Sequence, residues 1–130
     1  MKRILIYAVL FFVALAYYFS SKEKLEEIDT RSLKTMRMQN GLAFDPRDGK
    51  VLSGILVERD DDGRVLARVS YVAGLLDGAS EYFYRNKRLK ARVHYVKGVP
   101  QGIWEHFDRD GIKTKSVRYE KGRLVGAQQD

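Results

Sequence analysis

Gly54, Gly78, Gly102 and Gly126 recur at a step of 24 residues, and that step limits what this chain can fold into more than any other feature. Gly74, Gly98 and Gly122 keep the same step, as do Tyr71, Tyr95 and Tyr119, and Val69, Val93 and Val117. Four position classes on one period define a repeat architecture, in which each unit buries its apolar face only by stacking on its neighbours. The regular units are 54–77, 78–101 and 102–126. A shortened, degenerate unit over 35–53 precedes them, and the repeat domain runs from 35 to 130.

Each unit splits into two runs separated by a turn. In the second run Val65, Ala67, Val69 and Tyr71 alternate with Leu66, Arg68 and Ser70; Leu89, Ala91, Val93 and Tyr95 alternate with Lys90, Arg92 and His94. A period of two over eight residues predicts half-buried strands, to which valine and tyrosine are suited. In the third unit Lys113 and Lys115 replace the first two apolar residues, so the apolar face fades toward the C-terminus. Asp62-Gly63 and Asp110-Gly111 are turn pairs, with Asn86-Lys87 at the same place in the middle unit, where asparagine is expected to take the left-handed conformation. Asn40-Gly41 predicts a further hairpin, and Asp45-Pro46-Arg47-Asp48-Gly49 a turn. The other junctions, such as Val72-Ala73-Gly74, read as short links that close at the frame glycine. The predicted fold is mostly β: an elongated, single-layer antiparallel meander of stacked β-hairpins, preceded by an N-terminal hydrophobic helix.

That helix is predicted from residues 1–20. Met1-Lys2-Arg3 is followed by Ile4 to Phe19 without a charge. Those residues span roughly 24 Å as a helix, a little short of a bilayer core of about 30 Å, and Tyr17 and Tyr18 extend the reach into the interface. Ala14-Leu15-Ala16 has the form of a signal-peptidase site, so two readings stand: a signal anchor, which is preferred, or a cleaved signal peptide. The corresponding location is a bacterial inner membrane, single-pass, with the C-terminal domain outside the cytoplasm; the alternative is a secreted or periplasmic product. Residues 21–34 form a charged connecting segment. Leu25 and Ile28 lie three apart, and Ser20 and Glu23 fit a capping box, which predicts a solvated helical stalk to about Thr30.

The pattern G-x-W-x-x-[FY]-D-x-x-G…Y-x-x-G-x-x-x-G over Gly102 to Gly126 resembles the MORN-repeat variant of bacterial YwqK-like proteins. The resemblance covers about Asn40 to Gly126, with Phe83 and Phe107 at one aromatic place and Trp104 at another. Arg59 and Asp60 depart from it in the first unit, as do Leu56 and Ser80 at the place of Trp104. The resemblance implies a stacked β-hairpin protein, often labelled an antitoxin, and carries no catalytic residues.

No chemistry of catalysis is legible. His94 and His106 are the only two histidines and have no HxH or HxxxH spacing, cysteine is absent, and neither a GxSxG elbow nor a GxxxxGK[ST] loop occurs. Asp60-Asp61-Asp62-Gly63 lacks the alternating ligands of a calcium loop. No catalytic, metal or cofactor site is therefore predicted, and no enzyme. The net charge of +7 favours anionic partners. From Tyr82 to Trp104 there is no acid, while Arg85, Lys87, Arg88, Lys90, Arg92 and Lys97 are basic. A solvated strand face accounts for such a stripe as well as a binding site does. As a binding site it comprises Arg68, Tyr82, Tyr84, Arg85, Arg88, Lys90, Arg92, His94, Trp104 and Arg118. The expected partner is another protein, membrane-associated or acidic-surfaced. A toxin neutralised by this chain and anionic lipid headgroups are the alternatives; nucleic acid is disfavoured for an exported chain.

Overall fold

The structure, a computed structural model, describes residues 26–29 and 36–129. The predicted N-terminal helix, with its anchor or signal reading, lies outside these residues. Among the described residues every helix or strand is a strand, and no helix is long and apolar enough to cross a membrane.

The strands are β1 (Glu27–Asp29), β2 (Arg37–Gln39), β3 (Leu42–Phe44), β4 (Gly54–Arg59), β5 (Val65–Val72), β6 (Leu75–Phe83), β7 (Leu89–Val96), β8 (Val99–Pro100), β9 (Gly102–Phe107), β10 (Lys113–Glu120) and β11 (Arg123–Gln129). One nine-stranded sheet has the order β1-β4-β5-β6-β7-β9-β10-β11, with β8 also pairing β7; β2 and β3 form a separate hairpin. From β4 onward successive strands are antiparallel neighbours, so the protein is mostly β and the meander is present. Asn40 (φ 51°) and Gly41 (φ 76°) make the predicted β2–β3 turn.

The sheet is mixed, not wholly antiparallel, because β1 lies parallel to β4. This corrects the helical reading of the connecting segment at 27–29. Ile55 N–H donates to Glu26 O at 2.8 Å, and Ile28 is 2% exposed in a cluster with Ala43, Leu52 and Tyr71. A short helix with two apolar residues is marginal in water. The open edge of β4 and an apolar cavity for Ile28 offer the same residues both hydrogen bonds and burial.

The frame glycines act differently from the expectation too. Ala73-Gly74, Lys97-Gly98 and Lys121-Gly122 are themselves two-residue turns, with positive φ at both residues (50° and 82°, 47° and 80°, 47° and 81°). Positive φ at both centres is the turn whose twist matches a hairpin. Strand β6 then runs straight through Gly78 (φ 94°), where the ladder slips from Tyr71↔Leu76 to Val69↔Ser80. Gly78 therefore sits in a bulge, not at a link. Gly102 (φ 77°) holds the equivalent place, but Gly126 has no positive φ, and the β10–β11 slip leaves Val125 alone unpaired. The fourth glycine keeps the period of the series without its conformation.

Two hydrogen bonds per unit tie each of these turns to the preceding unit. Gly74, Gly98 and Gly122 donate N–H to Leu52 O, Leu76 O and Pro100 O at 2.8, 2.7 and 2.9 Å. Ser53 Oγ, Asp77 Oδ2 and Gln101 Oε1 accept from the N–H of Ala73, Lys97 and Lys121 at 2.8, 3.1 and 2.8 Å. These are nearest-neighbour couplings of the kind that hold a repeat stack together.

At the opposite end of the sheet the turns 60–64, 84–88 and 108–112 superpose in their bonding. Asp60, Tyr84 and Asp108 accept from Gly63, Lys87 and Gly111 N–H. The left-handed residue in the middle turn is Lys87 (φ 68°), not Asn86 as expected. Asn86 instead uses its side chain, accepting from Arg88 N–H at 3.1 Å and donating to Arg109 O at 3.0 Å.

A second bulge also recurs at the 24-residue step. Arg59↔Val65 is followed by Glu58↔Ala67, so Leu66 is extra, and Lys90 and Thr114 are extra at the same place. The predicted alternation therefore holds only after these residues. Val65 lines a surface cleft with Arg59, Phe83 and Lys87 and does not continue the row of Ala67. The core is uneven: Ile28, Ala43, Leu52 and Tyr71 pack with Met36, Leu56, Val69 and Leu76, so the degenerate unit folds over the first regular one. Further along, the core thins to Ala91, Val93 and Val117.

Candidate partner-binding surfaces

Direct cross-strand partners share a face of a sheet, and alternate residues along a strand change face. Register therefore divides the ten candidate residues into three groups.

One face is aromatic. Tyr82 pairs with Ala67 and Ala91, and Trp104 pairs with Val117. The Trp104 ring lies 5.2 Å from Tyr95 and 4.6 Å from Tyr119, and its Nε1 donates to His94 O at 3.0 Å. Trp104 thus interleaves with the tyrosine ladder as packing. Burial, and then the neighbouring Tyr82, push the Tyr71 and Tyr95 hydroxyls above the usual tyrosine range. Both hydroxyls stay neutral at physiological pH.

The other face is charged, and it carries Arg68, Arg92, His94 and Arg118. One cross-strand row reads Arg68↔Glu81, Glu81↔Arg92 and Arg92↔Glu105. Arg92 donates to Glu81 at 3.0 and 3.2 Å, Arg68 pairs with Glu27, and Lys113 pairs with Glu105 at 2.5 Å. Of the stripe that is free of acid in sequence, Arg92 is neutralised in space, because Glu81 and Glu105 bound the stripe and both lie opposite this residue. His94 and Arg118 are exposed on this face, and Arg118 makes no ion pair among the described residues.

The third group is at the turn end of the second unit. Tyr84 donates its hydroxyl to Phe107 O at 2.9 Å, which fixes the ring. Lys90 Nζ and the Arg109 guanidinium each lie 5.8 Å from the ring centroid, within cation–π range. Arg88 donates to Asp110 O, and Arg85 and Lys87 are exposed beside it. The open cleft here, about 400 Å³, is lined by Leu66, Phe83, Tyr84, Arg85, Lys90 and Arg109 among others. Arg109 is absent from the sequence-based set, and only the register that stacks turn 108–112 on turn 84–88 brings it in.

His94 and His106 lie on opposite faces, since His106 pairs with Ala91 and His94 with Ala79. Among the described residues no group of three or more His, Cys, Asp or Glu could hold a metal ion.

No protein-family model matches the chain. No characterised protein matches it either. Among solved structures, one described as the crystal structure of a GtfA/B complex bound to UDP and GlcNAc is similar at a TM-score of 0.37 and 11% identity, over 80% of this chain and 22% of that one. The chain thus spans about a fifth of that neighbour's length.

Proposed function

We propose that the chain is a non-enzymatic repeat module, held at a membrane by its N-terminal segment, that presents its sheet to another protein. One observation carries this reading: at the turn end of the second unit Lys90 and Arg109 lie against an immobilised Tyr84 with Arg85 in the same cleft, and Lys87 and Arg88 are exposed on the same turn. Elsewhere on the sheet four cations pair with acids, at Arg59–Asp29, Arg68–Glu27, Arg92–Glu81 and Lys113–Glu105. Stacked units set a rigid ring and several cations at one end of the sheet, an arrangement that fits an acidic protein surface and gives electrostatic steering.

Copurification from detergent-solubilised membranes tests it. The full chain retains a stoichiometric protein that is lost on Arg85→Glu/Lys90→Glu and released by salt. Retention of no such protein, or retention indifferent to the charge reversal, overturns the reading.

A further inference from the structure

The two ends of the sheet are finished differently. At the β4 end, β1 and the degenerate unit cover the edge, and a Cβ on Gly54 would stand 2.7 Å from Glu26 O and 2.9 Å from Ile28 Cδ1, so the fit is close. At the other end, among the described residues, the path of hydrogen-bonded strands stops at β11. This strand has seven residues, no proline, no lysine and no acid, and Leu124 (57%) and Val125 (52%) are exposed on it. Natural edges are ordinarily blunted by short strands, charged side chains, proline or bulges. Strand β11 has Arg123 and the Val125 bulge in its first half and none of these from Gly126 onward. By the 24-residue step β11 stands where β6 and β9 stand, and each of those is followed by another antiparallel strand.

The side chains beside this edge specify the charge of what would pair with it. Arg118 pairs in register with Gly126, which has no side chain, and a Cβ there would reach 4.0 Å from the Arg118 Cβ. The groove over Gly126, about 370 Å³, is lined by Ile103, Ser116, Arg118, Ala127 and Gln128 among others. A side chain on a strand added beyond β11, opposite Gly126, can reach across the glycine to Arg118. Lys115, Lys121 and Arg123 also make no ion pair among the described residues. The row Arg68–Glu81–Arg92–Glu105 shows the alternation that this face accommodates. A second copy is the wrong occupant, because antiparallel self-pairing centred on Gly126 sets two Arg118 side chains across two glycines with no acid between them.

We propose that β11 is a docking edge for an extended segment of a partner protein, added antiparallel as a further strand, with a carboxylate side chain opposite Gly126 that pairs with Arg118. This rests on the reading of the chain as a protein-binding module and names the chemistry of the partner. Main-chain hydrogen bonds supply the affinity in this mode and alternate side chains the specificity.

The test uses the full chain and a fluorescent peptide, Thr-Val-Thr-Val-Glu-Val-Thr-Val-Thr, which places glutamate and threonine on one face and valine on the other. Three arms accompany it: the peptide N-methylated along one edge, the peptide with lysine in place of glutamate, and the Arg118→Glu variant. Expected are binding by the parent peptide, loss on N-methylation, and a weakening of roughly fivefold with Arg118→Glu that the lysine peptide restores. Amide exchange slows in β11. Equal binding of the N-methylated peptide, absence of binding, or protection at 84–88 instead of β11 overturns the docking edge. None of these results alters the copurification outcome above, which tests the wider reading separately. A chain that is dimeric before peptide is added, with β11 already protected, overturns the proposal in favour of self-pairing.

Discussion

Asp77 Oδ2 accepts the backbone N–H of Lys97 at 3.1 Å, across 20 residues of sequence, and the same bond recurs one unit earlier at Ser53 and one unit later at Gln101. Three different residue types do one task because the task needs only an oxygen on a short arm beside the bulge. The prediction is that Asp77→Ala lowers stability by about 1 kcal/mol, the usual net value of such a bond, while Asp77→Asn is close to neutral. Urea denaturation of the pair measures this, and equal loss in both variants would show that the contact is not a hydrogen bond of this kind.

Lys97 carries its side chain at φ 47°, a region that costs a non-glycine residue roughly 1–2 kcal/mol, with asparagine the best tolerated after glycine. Lys97→Asn therefore creates an Asn-Gly turn and is expected to raise stability by up to about 1 kcal/mol, with Lys121→Asn behaving alike. Thermal melts of the two variants check it.

Gly54 and Gly102 share a place in the period but not an environment. A Cβ at Gly54 runs into Glu26 O and Ile28 Cδ1, whereas at Gly102 nothing lies within 4 Å. Gly54→Ala is expected to displace β1 and expose Ile28, seen as fast amide exchange at Ile55, whose N–H bonds to Glu26 O. Gly102→Ala meets only the strain of φ 77°, and leaves that amide protected.

Asp45 gives the degenerate unit a pH dependence. Hydrogen bonds from the Arg47 side chain, outweighing burial, hold its carboxyl below the usual carboxylate range. A pKa lowered on folding adds stability above the unfolded value of about 3.9, and that stability is lost as pH falls through the folded value. Acid titration should show wild type losing stability below about pH 4, with a shallower slope for Asp45→Asn. Parallel slopes would detach Asp45 from the effect.

Much of the fold is legible in the sequence, because glycine and tyrosine at a fixed step announce turns and stacked strands. The turn at Asn40-Gly41 is readable for the same reason. What escapes is whatever depends on residues far apart in sequence. Strand β1 contains one apolar residue, Ile28, and nothing local distinguishes it from a stalk. The bulges at Leu66, Lys90 and Thr114 break an alternation that looks unbroken along one strand. At the candidate site the cations are legible, but their partners are not. Glu81 and Glu105 lie 11 and 13 residues from Arg92, and only the antiparallel register sets both against it.

The central claim, that the turn end of the second unit is a protein-binding surface, is tested most directly by photo-crosslinking in cells. A benzoylphenylalanine replaces Arg85 in one sample of the full chain and Glu58, exposed on β4, in another. The account predicts one discrete protein adduct from position 85 and none from position 58. No adduct at position 85, or the same adducts at both positions, would contradict it.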